Sequence, residues 1–80
     1  MRVDKFLKVS RLIKRRTVAK EACETERITI NGKAAKPSAD VKVGDVVSVK
    51  FGNGEVTVRV RSLAEHVPKN EASDLYEILS

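Results

Sequence analysis

The chain predicts an α+β fold: two N-terminal helices packed on a small, mostly antiparallel sheet, with a short helix at the C-terminus. Three observations carry this expectation. Phe6, Val9 and Ile13 recur at three- and four-residue spacing, the period of one helix face. Ile28 and Ile30 then alternate with polar residues and run into Asn31-Gly32, the favoured pair for a type I′ hairpin turn, where both residues need positive φ. Two further alternating runs, "VVSVKF" and "VTVRV", flank the turn signal "GNGE". At 80 residues the chain is one small domain, near the lower size at which a single core suffices.

The opening segment "VDKFLKVSRLI" predicts a first helix over Asp4 to Arg11. Asp4 suits an N-cap, since its carboxylate can accept the free N–H groups of a helix start. Leu7 and Leu12 lie beside the apolar stripe, while Lys5, Lys8 and Arg11 lie off it. A turn through Lys14-Arg15-Arg16 follows. "TVAKEACETE" predicts a second helix, with Val18, Ala19, Ala22 and Cys23 on one face and Lys20, Glu21 and Glu24 outward. Its small residues allow close packing, and Cys23 reads as a small buried hydrophobe.

Strands are expected at Ile28–Ile30 and from Lys33, then a loop with Pro37 and a turn at Gly44-Asp45. The next strand should place Val47, Val49 and Phe51 on the core face, and its return should place Val56, Val58 and Val60 there. After the break at Pro68, Ser73 or Asn70 can cap a short helix whose apolar side is Leu75, Ile78 and Leu79. The expected division is a domain over residues 1–65 and a C-terminal extension over 66–80, packed on or beside it.

Charge is distributed unevenly. The net charge is +5, but residues 1–20 hold eight Lys/Arg against Asp4 alone, and the remainder hold eight against ten acids. A basic balance confined to one quarter of the chain is the footprint of a polyanion partner. Nothing supports catalysis: the single histidine, His66, lies in an expected loop, no carboxylates pair in a recognisable motif, and no Gly-rich phosphate loop is present. One cysteine excludes an internal disulfide and argues against structural zinc, so no metal or cofactor is expected. The N-terminus has no apolar run of the signal-peptide kind, and no stretch approaches a membrane span. A cytoplasmic monomer is expected.

Three roles are open to the basic stretch "RLIKRRTVAK". A solvated helix face normally interleaves acids, yet none occurs between Asp4 and Glu21. A membrane-surface helix needs a large apolar face opposite the charge, and the short one here is needed for the core. Phosphate binding fits best: arginine makes bidentate phosphate contacts, lysine supplies a point charge, and the second helix begins at Arg15, Arg16 and Thr17 with free N–H groups. Arg2, Lys8, Arg11, Lys14, Arg15, Arg16 and Lys20 are the expected phosphate ligands, with Lys33 and Lys36 extending the patch along the hairpin. The aromatics are Phe6, Phe51 and Tyr76 only, too few for a single-strand stacking platform. Structured RNA read by backbone and shape is the natural partner, and double-stranded DNA stays open on physics alone.

"RVDKFL" (Arg2–Leu7), "RRTVA" (Arg15–Ala19), "RITINGKAAKPS" (Arg27–Ser38) and "VKVGDVVSV" (Val41–Val49) together resemble the S4 RNA-binding domain, or αL-RNA-binding motif. In that family two helices and the following hairpin form the RNA-facing surface. By motif position Arg2, Asp4 and Lys5 match the opening helix, Arg16 the arginine starting the second helix, and Asn31-Gly32 the hairpin turn. The match implies that Lys5 joins the RNA-binding set and that Asp4 caps or orients a basic residue. The sequence departs from the family pattern twice. Arg15 stands where a Ser or Thr often caps the second helix, and Glu26 where a glycine usually precedes the strand.

A chain of this length in which Arg11, Lys14 and the ending "EASDLYEIL" join the motif, with no catalytic domain beside it, is similar to the RqcP family and to the small heat-shock S4 proteins. For the former, the resemblance implies a non-enzymatic part in bacterial ribosome-associated quality control. The implied partners are the large ribosomal subunit, 23S rRNA, P-site tRNA and an RqcH-type factor that adds a C-terminal alanine tail. The alternatives are a general structured-RNA or rRNA binder, of heat-shock or ribosome-assembly type, and a protein-interaction module using the acidic C-terminal segment.

Overall fold

The computed structural model describes all 80 residues. Two α-helices, α1 (Val3–Val9) and α2 (Arg16–Glu24), precede five strands: β1 (Ile28–Ile30), β2 (Lys33–Ala34), β3 (Val46–Phe51), β4 (Gly54–Val60) and β5 (Tyr76–Ile78). The sheet runs β2-β1-β3-β4-β5, and every pair is antiparallel. Its register puts Val47 opposite both Ile30 and Val58, and Val49 opposite Ile28 and Val56. Because side chains alternate across a strand, these apolar rows share one face. The helices cover it: Val3, Phe6 and Leu7 of α1 and Ala19 and Cys23 of α2 are buried against Ile28, Val47, Val49, Val58 and Val60. The other face is polar, and the Ser48 and Thr57 hydroxyls lie 3.0 Å apart across β3 and β4.

The start of α1 differs from the sequence expectation. Arg2, not Asp4, occupies the N-cap position, and no side chain caps the helix. The N–H groups of Val3 and Asp4 donate instead to the carbonyls of Ala39 and Pro37, at 2.8 and 3.3 Å. The loop after the hairpin thus supplies the missing acceptors. That leaves the Asp4 carboxylate free for another task.

Both helices end in a left-handed residue that is not glycine. Helix α1 stops at Val9, two residues short of the expected Arg11, because Arg11 adopts φ 63° and turns the chain out. Helix α2 ends with Glu26 at φ 61°. There the Glu26 N–H donates to Cys23 O at 3.1 Å and the Arg27 N–H to Ala22 O at 2.9 Å, which is the paired bonding of a Schellman cap. The bend occupied by glycine in the family pattern is therefore made by a glutamate.

The hairpin turn is as the sequence predicts, with Asn31 at φ 53° and Gly32 at φ 85°. Asn31 also does something the turn rule does not anticipate. Its side chain accepts from the Val46 N–H at 2.9 Å and donates to Asp45 Oδ1 at 3.2 Å. The hairpin is thereby pinned to the turn in which Gly44 sits at φ 97°.

Three apolar expectations are corrected. Phe51 lies on the inner face but at the end of β3, beyond the cover of α2, and is 41% exposed. Val18 is likewise outside the packed face of α2 and exposed. The C-terminal helix is a 3-10 helix over Lys69–Leu75, without a side-chain cap from Asn70 or Ser73. Ile78 and Leu79 do not form its apolar side. Tyr76–Ile78 instead pairs with β4, where β4 still had a free edge, and Ile78 stays exposed. Ala72 and Leu75 are the buried residues of the tail, and Val67 and Tyr76 pack half-buried against the core.

Candidate nucleic-acid interface

The polar centre of the N-terminal half is Asp4. Its carboxylate is buried in the first turn of α1 and accepts from Arg2 Nη2 at 3.1 Å and from Arg16 Nη2 at 3.5 Å. The two arginines keep about half their side-chain surface, 50% and 45%. A buried carboxylate with two half-exposed guanidinium partners is satisfied as an acceptor and leaves N–H donors of both arginines directed to solvent. No buried side-chain polar atom in the chain lacks a partner.

Around this pair the cations form one connected track of shallow clefts. Lys5, Lys8, Arg11, Lys14 and Arg16 line a cleft of about 570 Å³, bordered by Glu65, His66 and Val67. Arg16 is shared with a depression of about 280 Å³ formed with Arg2, Asp4, Thr17 and Lys20. Arg2 and Lys20 are in turn shared with a cleft of about 610 Å³ that reaches Lys36 and Ser38 beside α2 and is bordered by the acids Glu24 and Glu26. Lys36 and Lys33 then line the hairpin's outer hollow. Nine of the ten cations expected at the site thus fall on this path. Arg15, the N-cap residue of α2, is exposed beside the track and lines none of these clefts.

Two details modify the charge of the track. Lys5 Nζ is 2.7 Å from Glu65 Oε2, and this pair holds the Glu65 carboxyl below its ordinary range. The segment around Glu65 and His66 is thus drawn to α1, a placement that an isolated loop histidine gives no reason to expect. Helix α2 has no side-chain cap, so its first N–H groups stay available beside Arg15 and Arg16, where the helix dipole favours an anion. Cys23 faces the core. Burial, with the nearby Asp4 and Glu24 charges, pushes its thiol up to about 11, so it is neutral and a poor nucleophile.

Such a surface can hold several phosphates in a row. Guanidinium groups fixed by Asp4 present preset donors, and the lysines on either side add mobile charge. No group of His, Cys, Asp and Glu is placed to hold a metal ion, and no helix is long and apolar enough to cross a membrane.

Comparison with known proteins gives the chain a family. The family model described as the S4 domain matches residues 1–47, the stretch that carries α1, α2, the hairpin and all the track cations. An RQC P-site tRNA stabilizing factor of Halalkalibacterium halodurans is 59% identical over 78 residues, covering 98% of this chain and 89% of that protein. One from Bacillus subtilis is 58% identical over 79 residues, covering 99% and 92%. Among solved structures, heat shock protein 15 of Vibrio cholerae superposes with a TM-score of 0.92 at 30% identity, over 100% of this chain and 82% of that one. The chain belongs to the S4-domain family and, within it, to the group of RQC P-site tRNA stabilizing factors.

Proposed function

We propose that this chain is a non-enzymatic RNA-binding factor of bacterial ribosome-associated quality control, acting in the cytoplasm on stalled large subunits. The observation that carries it is the single cationic track in which buried Asp4 presets Arg2 and Arg16. Relatives at 59% and 58% identity bear the name of P-site tRNA stabilizing factors. In this reading Arg2, Arg16 and Lys20 grip one stretch of phosphates, while Lys8, Arg11 and Lys14 hold a second across α1. Arg15 supplies a further charge at the start of α2, and Lys33 and Lys36 carry the grip along the hairpin. Two nearby grips on one rigid domain suit a factor that bridges 23S rRNA and the P-site tRNA, holding the peptidyl-tRNA while an RqcH-type factor extends its chain with alanine.

The likeness to heat shock protein 15 favours a second reading, a broader binder of structured rRNA. A tagged pull-down from cells, with bound RNA and protein identified, separates the two. Large subunits carrying peptidyl-tRNA and a tailing factor, recovered with wild type and lost with Arg16→Ala, support the quality-control role. Recovery of rRNA without peptidyl-tRNA supports the broader one. Recovery that Arg16→Ala leaves unchanged contradicts both.

A further inference from the structure

Phe51 ends β3 on the inner face, yet the sheet there runs past its helical cover and the ring is 41% exposed. Its cross-strand neighbour is Gly54, which has no side chain to lay over it. The ring stands in a groove of about 290 Å³ whose apolar lining includes Leu12, Val18 and Ala22. Lys14, Arg27 and Lys50 line the same groove, and no acid does. None of these three cations has a carboxylate within 4.0 Å, although Glu55 is the register partner of Lys50 across β3 and β4.

An apolar floor with an aromatic ring, beside three unpaired cations, is complementary to a ligand with a flat apolar body and negative charge on either side. A nucleotide has that form: its base stacks on an aromatic ring, and its phosphates are drawn to the lysines and arginine. A cavity of this size suits one ring system better than the face of a partner helix, which needs anchors spread over two turns. The groove is also continuous with the cationic track, because Lys14 lines both.

We infer that the Phe51 groove receives one unstacked base of the bound RNA, with Lys14, Arg27 and Lys50 holding its flanking phosphates. The inference rests on the RNA-binding function proposed above. It adds to a grip on backbone a point that senses unpaired nucleotides, and so distinguishes a loop or bulge from a plain helix.

The test uses two RNA probes with equal numbers of phosphates, a stem closed by an unpaired loop and a blunt duplex. Wild type, Phe51→Ala and Arg16→Ala are titrated with each. Phe51→Trp is added because the chain has no tryptophan, so its fluorescence reports the groove alone. Thermal melting first checks that the variants fold. The expected result is that Phe51→Ala weakens the loop probe about tenfold or more and leaves the duplex and the salt dependence unchanged. Phe51→Trp fluorescence should be quenched by the loop probe only.

If Phe51→Ala binds the loop probe as wild type does, or weakens both probes equally, while Arg16→Ala weakens both, the base site is overturned and the phosphate track stands. If Arg16→Ala weakens neither, the RNA-binding function itself falls. A Phe51→Trp signal given by a glutamate-rich amphipathic peptide and by neither RNA assigns the groove to a protein partner and likewise overturns the base site.

Discussion

Asp4 Oδ1 lies 3.5 Å from Arg16 Nη2, so one buried carboxylate ties the first turn of α1 to the first turn of α2. The same carboxylate holds Arg2 at 3.1 Å. An acid in the most basic quarter of the chain looks like a defect in a polyanion-binding surface. Its position makes it the part that fixes where two of the cations stand.

Replacing Asp4 with Asn separates positioning from bulk charge. The change raises the net charge by one above +5, so charge alone would tighten RNA binding. Loss of the anchor should instead weaken it, and should cost about 1–3 kcal/mol of stability through the broken charged hydrogen bonds. Urea denaturation and an RNA titration on the same sample check both parts.

The two non-glycine residues that end the helices at positive φ, Arg11 and Glu26, should differ in what their replacement does to function. Glu26→Gly relieves the left-handed strain at the α2 cap and removes no track cation, only an acid that borders the cleft of Arg2 and Lys20, so RNA binding should not weaken. It should stabilise the fold by about 1 kcal/mol, raising the melting midpoint by about 4–8 °C for a domain of this size. Arg11→Gly should give a similar gain in stability while weakening RNA binding, because Arg11 lines the cleft with Lys8 and Lys14. Calorimetry and RNA titration of the two variants check the contrast.

Acid should weaken the fold by a defined route. Hydrogen bonding to and attraction by the N-terminal ammonium lower the Asp40 carboxyl below its ordinary 3.8, and Lys5 in the same two ways lowers Glu65 below 4.5. Depressed folded values mean that the unfolded chain takes up protons first. The stability they contribute is present above the ordinary values and is lost as pH falls through the lower folded ones. Both carboxylates are exposed, so the contribution is small. The melting midpoint should be level down to about pH 5 and decline below about pH 4, less steeply in the Asp40→Asn, Glu65→Gln double variant.

Cys23 should resist alkylation. With the thiol buried and pushed up to about 11, the thiolate is scarce at neutral pH. Iodoacetamide at neutral pH should leave the native protein unmodified over times that label it fully in denaturant.

Much of the fold was legible because local pattern and tertiary outcome agree. Phe6, Val47 and Val58 are buried as their spacing predicts, and Asn31-Gly32 makes its turn. The misreadings share a cause. Alternation puts Phe51 on the inner face correctly, but cannot tell that α2 stops short of covering it. "LYEIL" fits a helix and a strand equally by period, and only the free edge of β4 decides for the strand. The end of α1 was missed because arginine gives no hint of a left-handed cap. For the candidate site, the sequence supplies the cations but not their connection. That connection depends on Asp4 being buried between α1 and α2, and on Glu65 returning to Lys5.

The most direct test of the track is the salt dependence of binding to a structured rRNA fragment, for wild type and Arg16→Ala. If about five phosphates are neutralised, the logarithm of the affinity should fall with that of salt at a slope of about −4, and the variant should lose roughly one contact's worth of slope. Binding that is indifferent to salt, or a slope that Arg16→Ala leaves unchanged, would contradict the claim that these cations hold RNA phosphates.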